Sequence, residues 1–337
     1  MPIIVAALLV FHRAVPNAGL LENFLPWLGL TIPFLLVRAW FRSLRALITA
    51  LLPLIVWLGV FGDRVLPAPD LPYQLVAVQH NVSDENPDPA GTVRALLESR
   101  PDFIGIEEIT PEVLPAYRAA FGAGYPHFSV QGTVALWSRH PLIEARLLDI
   151  RPDSLNAVSP GSGSPGSGSA GSDSPGSDLA GSGSPGSGSL GSEWNRGLRA
   201  VAETPFGEIA VYVVHLPSVR PDPVGWDPVR FNPVALDSAR RDESARKLTA
   251  ALDAEPLGRV LLLGDLNSTV DDRVLAPVLE RLRTDTSGFA FSWPATMPLA
   301  RIDHVMAGGM TVVEVRTLPR TGSDHLPVEA RLRTQTR

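Results

Sequence analysis

The 337-residue chain contains no cysteine. Disulfides are therefore excluded and a folded domain must be held by its core alone, while any metal would meet hard oxygen and imidazole donors instead of thiolates. Lysine is almost as scarce, with Lys247 the only one among many arginines, alanines and prolines, a compositional bias that carries no mechanism. Positive charge is in deficit as well: 29 Lys and Arg stand against 35 Asp and Glu, a net −6. Residues 1–70 hold five arginines and three acids, which leaves the remainder at a net −8. Such a domain has a poor grip on a long polyanion, because nucleic-acid affinity comes largely from Lys and Arg neutralising phosphates, so nucleic acid is not an expected partner. A compact phosphate held through a metal stays open. The N-terminus also lacks a basic start and a small-residue cleavage site, which argues against a cleavable signal peptide.

What the front of the chain has instead is apolar sequence. A hydrophobic share of 45% and a mean hydropathy of +0.12 are high for a soluble protein, and the excess lies before Gly62. Three stretches carry it: Pro2 to Val15, Leu20 to Val37 and Ala46 to Phe61. A membrane span needs about 20 apolar residues. The third stretch is near that limit, the second reaches it by continuing to Trp40, and the first is short and broken by His12 and Arg13. Together they read as a membrane anchor over residues 1–66 with two to three transmembrane helices. Arg38, Arg42 and Arg45 sit between the second and third stretches, and the positive-inside rule puts that loop in the cytoplasm. Everything after about Phe61 is then expected outside the cell, giving a multi-pass protein of the cell membrane with its main domain on the extracellular side.

A proline-punctuated spacer, residues 67–72, leads into that domain, residues 73–337. Within it, residues 153–192 form a low-complexity insert in which a GSxSx pentapeptide recurs. Nothing in the insert can pack a core, so it reads as a solvated surface loop. The rest alternates strand-like and helix-like segments in two similar halves, which predicts an α/β sandwich with two face-to-face sheets and helices outside.

Four apolar runs each stop on a polar residue: LVAVQHNV at Asn81, DFIGIEEI at Glu108, IAVYVVHL at His215, and VLLLGDLN at Asp265 and Asn267. Layered α/β folds commonly place their chemistry at the C-terminal ends of strands. In Glu107-Glu108 adjacent side chains diverge, so one faces the site, and Glu108 is the expected metal ligand. Asp265 and Asn267, two apart, point the same way; the acid can take a proton from water and the amide can hold a transition-state oxygen. Near the C-terminus, RIDHVM supplies Asp303 and GSDHLPV supplies Asp324 and His325. Asp303 is the better candidate to fix the tautomer of His325, while Asp324 reads as a metal or water ligand. His80, His127, His140 and His304 read as structural. The set as a whole suits a magnesium-like ion and a phosphate ester.

The order Asn81, Glu108, His215, Asp265-x-Asn267, Asp303, Ser323-Asp324-His325 resembles the endonuclease/exonuclease/phosphatase superfamily. The resemblance implies a DNase I-like four-layer α/β sandwich and a Mg2+- or Mn2+-dependent attack of water on phosphorus. By motif, Glu108 would hold the metal with Asn81 and Asp324. Asp265 and Asn267 would handle the nucleophile and the transition state, His215 and His325 would contact the scissile phosphate, and Asp303 would orient His325. Asn81 and Arg196 are the expected substrate-binding residues. Together with the apolar N-terminus, the stretches HNVSDENPDPAGT, VQGTVALWSR, WNRGLRA, HLPSVR and GFAFSWPA are similar to the VanJ-type membrane proteins of actinomycetes, associated with teicoplanin resistance. That likeness implies a polyprenyl diphosphate, such as undecaprenyl pyrophosphate, as the membrane-proximal substrate. An extracellular nuclease or other phosphodiesterase of the same fold is the alternative, disfavoured by the acidity of the domain, and a binding or sensing module without activity is a third.

Overall fold

The computed structural model describes residues 1–12, 22–66, 70–153, 196–221 and 236–334. The Gly/Ser insert expected at 153–192 lies, beyond Asp153, outside the described residues, as do positions 67–69 of the spacer. Two sheets dominate. The first contains β1 (Leu75–Asn81), β2 (Phe103–Glu107), β3 (His127–Gln131), β4 (Val134–Ser138), β12 (Met310–Thr317) and β13 (Val328–Thr334), in the spatial order β12-β13-β1-β2-β4-β3. The second contains β5 (Leu142–Leu147), β6 (Gly197–Thr204), β7 (Gly207–His215), β10 (Val260–Asp265) and β11 (Asp303–Gly308), in the order β11-β10-β7-β6-β5. A small pairing of β8 (Arg220–Pro221) with β9 (Leu236–Asp237) stands apart from both.

The central strands are apolar on both faces because both faces are covered. Between the sheets lie Leu75, Phe103 and Leu136 from one side and Val211, Val213 and Leu263 from the other, all buried. The alternate residues face outward. Val78, Ile104, Ile106 and Trp137 meet Val93 and Leu96 of α4 (Pro89–Leu97) and Tyr117 and Phe121 of α5 (Leu114–Phe121). Tyr212, Val214 and Leu262 meet Ala245 and Leu248 of α6 (Ala239–Asp253) and Val278 of α7 (Ala276–Arg281). The result is helix, sheet, sheet, helix. Within it β1 runs parallel to β2, and β7 parallel to β10, so the C-terminal ends of each pair share an edge.

Two local features interrupt the regular elements. Between Asp272 and Arg283 the chain forms a 3-10 turn, Arg273–Leu275, followed by α7, instead of one continuous helix. Pro277 has no N–H to return to Arg273, so the helix restarts there. Residues 322–325 bend ahead of β13. Ser323 holds the bend: its Oγ donates to the Asn81 carbonyl at 2.7 Å and accepts from the His325 N–H at 3.0 Å.

At the N-terminus, α1 (Pro2–Phe11) and α2 (Thr31–Trp40) pack beside α3 (Leu44–Val65), with a 3-10 segment, Leu25–Leu30, leading into α2. Ser43 caps α3 by accepting from Ala46 N–H at 3.2 Å. Among the described residues one helix, the 22-residue α3, is long and apolar enough to cross a membrane. The second apolar stretch is no single α-helix, because Pro26 and Gly29 hold its first part in 3-10 geometry. The segment is clamped to the sandwich. The buried Glu22 carboxylate accepts from Arg273 Nη2 at 2.7 Å and from the Arg273 backbone N–H at 2.9 Å. Asn23 Oδ1 accepts from the N–H and hydroxyl of Thr269. Arg64, at the end of α3, makes two 2.7 Å bonds to Asp271.

Gly264 marks the tightest approach within the second sheet, since a Cβ there would collide with the Val214 carbonyl of β7. Overpacking of this kind costs about 1–3 kcal/mol. Gly264→Ala should therefore lower the melting temperature by roughly 5 °C; an unchanged melt would show that β7 and β10 can separate without cost.

Candidate active site

Strand register assembles the site. Asp265 ends β10, with His215 of β7 paired to it on one side and Asp303 of β11 on the other. In the facing sheet Asn81 ends β1 opposite Glu107 of β2. Glu108 follows at φ 61°, a left-handed conformation that brings its side chain back over the strand end instead of onward along it. Asn267 does the same after β10 at φ 48°.

These ends open into a cavity of about 400 Å³ lined by Asn81, Glu108, Arg196, His215, Asp265, Asn267, Asp324 and His325. Asp303 does not line it. It lies buried behind His325, accepting from or facing Nδ1 at 2.9 Å, while Nε2 of the same ring lies 3.9 Å from Asp265 Oδ2. Asn81 Nδ2 donates to Glu108 Oε1 at 3.0 Å and Asp265 Oδ2 at 3.1 Å. His215 Nε2 stands 3.7 Å from each of those carboxylates. Asn267 Nδ2 donates to the Leu216 carbonyl at 2.9 Å, and its backbone N–H to Asp265 Oδ1. Asp324 is exposed at the rim.

Burial and like charge shape the titration of the group. Burial, with Asp303 adding, raises Asp265 above the usual carboxylate range. Burial opposes the charge on His325, but Asp303 and Asp265 outweigh it and hold the ring protonated well above 6.5. Burial likewise opposes ionisation of Asp303, and His325 overcomes it, keeping Asp303 an anion. His215 is pushed well below 6.5 by burial and then by Arg196, so it is a neutral imidazole. Asp265, Asp303 and His325 offer ligand atoms within 4.8 Å of one another. Because His325 spends Nδ1 on Asp303 and carries its own positive charge, the trio reads as an internally neutralised unit and not as the place for an ion.

Two residues beyond the sequence reading support this unit from below. Gln79 Nε2 donates to Glu107 Oε2 at 2.6 Å and, across the gap between the sheets, to Asp303 Oδ1 at 3.1 Å. Glu107 is fully buried, and burial together with Asp303 and Asp265 raises its pKa well above the usual carboxylate range. The spacing from Gln79 to Asn81 was the available signal, since residues two apart share one face of a strand. Asn23, Phe24 and Trp293 also line the cavity. Trp293 sits in the GFAFSWPA stretch, whereas no local pattern points to Asn23 or Phe24. Three of the four histidines read as structural are bonded within the fold: His80 to Thr321, His140 to Asp102 and His304 to the Ser268 carbonyl.

The sequence pattern of the Endonuclease/Exonuclease/phosphatase family matches residues 78–325. The chain belongs to that family. The match spans the region from within β1 to His325 and so includes the polar residues of the site from Asn81 to His325, while Asn23 and Phe24 of the cavity lining lie outside it. Members of the endonuclease/exonuclease/phosphatase family hydrolyse phosphate esters and typically depend on a divalent metal. No curated protein matches the chain. Among solved structures, a functionally unknown conserved protein from Enterococcus faecalis V583 is similar at 15% identity and TM-score 0.50, over 77% of this chain and 100% of that one. The human Nocturnin catalytic domain with bound sulfate anion is similar at 13% identity and TM-score 0.50, over 79% and 97%. An endonuclease/exonuclease/phosphatase from Beutenbergia cavernae DSM 12333 is similar at 17% identity and TM-score 0.48, over 78% and 72%. At these identities the likeness to the first two establishes the fold alone.

The electrostatics give a direct check. In NMR titration the His325 ring should stay protonated at pH 8, and Asp303→Asn should bring its midpoint down towards 6.5. A ring that is neutral at pH 7 in the native protein would contradict the pairing with Asp303.

Proposed function

We propose that the protein is a membrane-anchored, divalent-metal-dependent phosphoesterase acting on a lipid-linked diphosphate outside the cytoplasm. The observation that carries the hydrolytic part is the composition of one cavity: hard oxygen donors on one wall, cationic and neutral hydrogen-bond donors on the other. Glu108 offers its carboxylate to the cavity, with Asp324 at the rim and Asn81 between Glu108 and Asp265. The Asn81 amide presents Nδ2 to both carboxylates while its Oδ1 accepts from the Ser83 N–H at 3.1 Å, so Asn81 would hold a cation through Oδ1 only by exchanging that bond. This donor set fits Mg2+ or Mn2+, which keep few protein ligands and several waters. The bound ion would supply charge neutralisation at a phosphate oxygen.

The chain's own groups account for the remaining requirements. Arg196 and the imidazolium of His325 face the phosphate and stabilise the negative charge that builds on its oxygens. His215, neutral, donates one hydrogen bond there without adding charge. Asp265, raised towards neutrality, orients a water and takes its proton as the oxygen attacks the terminal phosphorus; the bridging P–O bond breaks and the lipid monophosphate leaves as a stable anion, its charge met by Arg196 and His325. Asn267 holds the attacking region from the opposite side. Asp303 keeps His325 charged and in one orientation, a positioning role.

The membrane part rests on the N-terminal hairpin. The third helix is about 33 Å long, close to the hydrocarbon thickness of a bilayer, and most of its apolar side chains are exposed, Ile48, Ile55 and Leu58 among them. A core helix of a soluble domain would bury them. The segment from Leu25 to Trp40 rises about 27 Å because 3-10 geometry is longer per residue. Trp57 Nε1 donates to the Pro26 carbonyl, so the two limbs run antiparallel with Arg38, Arg42 and Arg45 at the tip and both feet on the sandwich. The positive-inside rule then favours a cytoplasmic tip and an extracytoplasmic active site. The likeness to VanJ-type proteins supports a polyprenyl diphosphate as substrate and a link to glycopeptide resistance. The nuclease alternative is opposed by the net −8 of residues 71–337.

Purified full-length protein in detergent should release phosphate from a polyprenyl diphosphate with Mg2+, lose that activity in EDTA and regain it on adding Mg2+. Asp265→Asn should cost about 10²–10³ in rate without loss of thermal stability, whereas His325→Ala should cost as much in rate and also melt lower, because it leaves Asp303 buried without its partner. Digestion of plasmid DNA with no phosphate release from the lipid would decide for the nuclease.

A further inference from the structure

An apolar cavity of about 530 Å³ lies between the N-terminal hairpin and the sandwich, and the chemistry above does not use it. Trp27, Leu36, Leu54 and Trp57 form one side, Phe289 and Phe291 the other. Its size falls in the range of about 300–1,000 Å³ found for small-molecule sites. The aromatic wall is fixed in place. Trp27 stacks on Phe291 with centroids 5.4 Å apart, and Phe291 on Phe289 at 5.0 Å. The Trp27 indole N–H donates to the Leu299 carbonyl at 2.7 Å and that of Trp57 to the Pro26 carbonyl at 2.8 Å. Both indole donors are thus satisfied within the protein, and neither calls for a polar ligand. A Cβ on Gly29 would lie 2.6 Å from Trp57 Nε1, so a glycine at that position lets the indole lie against the 3-10 segment.

The apolar and catalytic cavities share a partition. Phe24 lines the catalytic cavity and Trp27, one 3-10 turn later, lines the apolar one; Trp293 lines the catalytic cavity and Phe291, two residues earlier, lines the apolar one. The same two short segments therefore separate a phosphate site from a hydrocarbon-lined one. On the outer side Leu30 and Phe34, 60% and 77% exposed, continue the apolar surface onto the hairpin. A chain lying in the bilayer meets unbroken apolar surface from the hairpin to the partition.

We propose that this cavity seats the hydrocarbon chain of the substrate, an alkyl or isoprenoid diphosphate, with the diphosphate held across the partition in the catalytic cavity. The proposal rests on the phosphoesterase reading and adds the position of the chain. Withdrawing two methylenes from water changes binding by about tenfold or more. Chain length should therefore govern efficiency, and the segment Glu22–Trp27 should act as part of the substrate site as well as a clamp on the sandwich.

Full-length protein in nonionic detergent is photolysed with a dodecyl diphosphate bearing a diazirine on its chain, and in parallel with the same chain on a neutral sugar head group. Label from the diphosphate probe should map to residues 24–36 and 289–291, exceed the neutral probe by about tenfold, and fall to its level in Arg196→Ala. Equal labelling by both probes, or label spread over the outer face of α3, would overturn the proposal. Leu36→Trp and Leu54→Trp, which fill the cavity, should lower kcat/KM on dodecyl diphosphate about tenfold relative to methyl diphosphate; an unchanged ratio in both variants overturns it too. Hydrolysis of neither compound together with cavity-specific labelling by the diphosphate probe would sink the phosphoesterase reading and leave the chain site standing.

Discussion

Glu107, Asp265 and Asp303 are buried within one space, and the single imidazolium of His325 is the cation set directly among them. An isolated carboxylate inside a protein is costly enough that it neutralises or finds a partner. Each of the three meets that demand differently. Asp303 is paired to His325, Glu107 is pushed by burial towards its neutral form, and Asp265 is lifted towards neutrality at the cavity wall. Gln79 ties the first two together across the sheets. The arrangement depends on register: a slip of one residue between β10 and β11 would turn either Asp265 or Asp303 to the opposite face and leave a buried charge alone. Catalytic potential and structural cost therefore come from the same few atoms.

The N-terminal hairpin bears on that cluster through the loop that follows it. Glu22 and Asn23 bind Arg273 and Thr269, and Arg64 binds Asp271, all within eight residues of Asp265. From the other side Arg241 of α6 donates to the Asn267 carbonyl and pairs with Asp272. The loop carrying Asn267 is thus gripped on two sides. In this fold the N-terminal hairpin and the catalytic edge are adjoining parts of one packed structure.

Much of the site was legible because apolar runs that stop on Asn81, His215 and Asp265 mark strand ends, and their order together, more than any one of them alone, pointed to one edge. The pairing of Asp303 with His325 followed from their chemistry. Gln79 escaped because inside an apolar run a single amide looks like an interruption, and its role appears only when the opposite sheet brings Asp303 to it. The contacts of Glu22 and Asn23 span some 250 positions along the chain, and no periodicity encodes such a meeting. Helix ends near Pro277 and the bend at Ser323 turned on single hydrogen bonds, which propensity does not resolve. The second apolar stretch had the right composition for a span, but Pro26 and Gly29 changed its geometry.

The central claim is that the edge where β1, β2, β7 and β10 end holds a divalent cation against a phosphate. Anomalous diffraction from crystals soaked in Mn2+ tests it most directly. The account predicts a peak beside the Glu108 carboxylate, within reach of Asn81, and its loss in Glu108→Gln. A peak enclosed by Asp265, Asp303 and His325 instead, or no peak in the cavity at millimolar Mn2+, would contradict it.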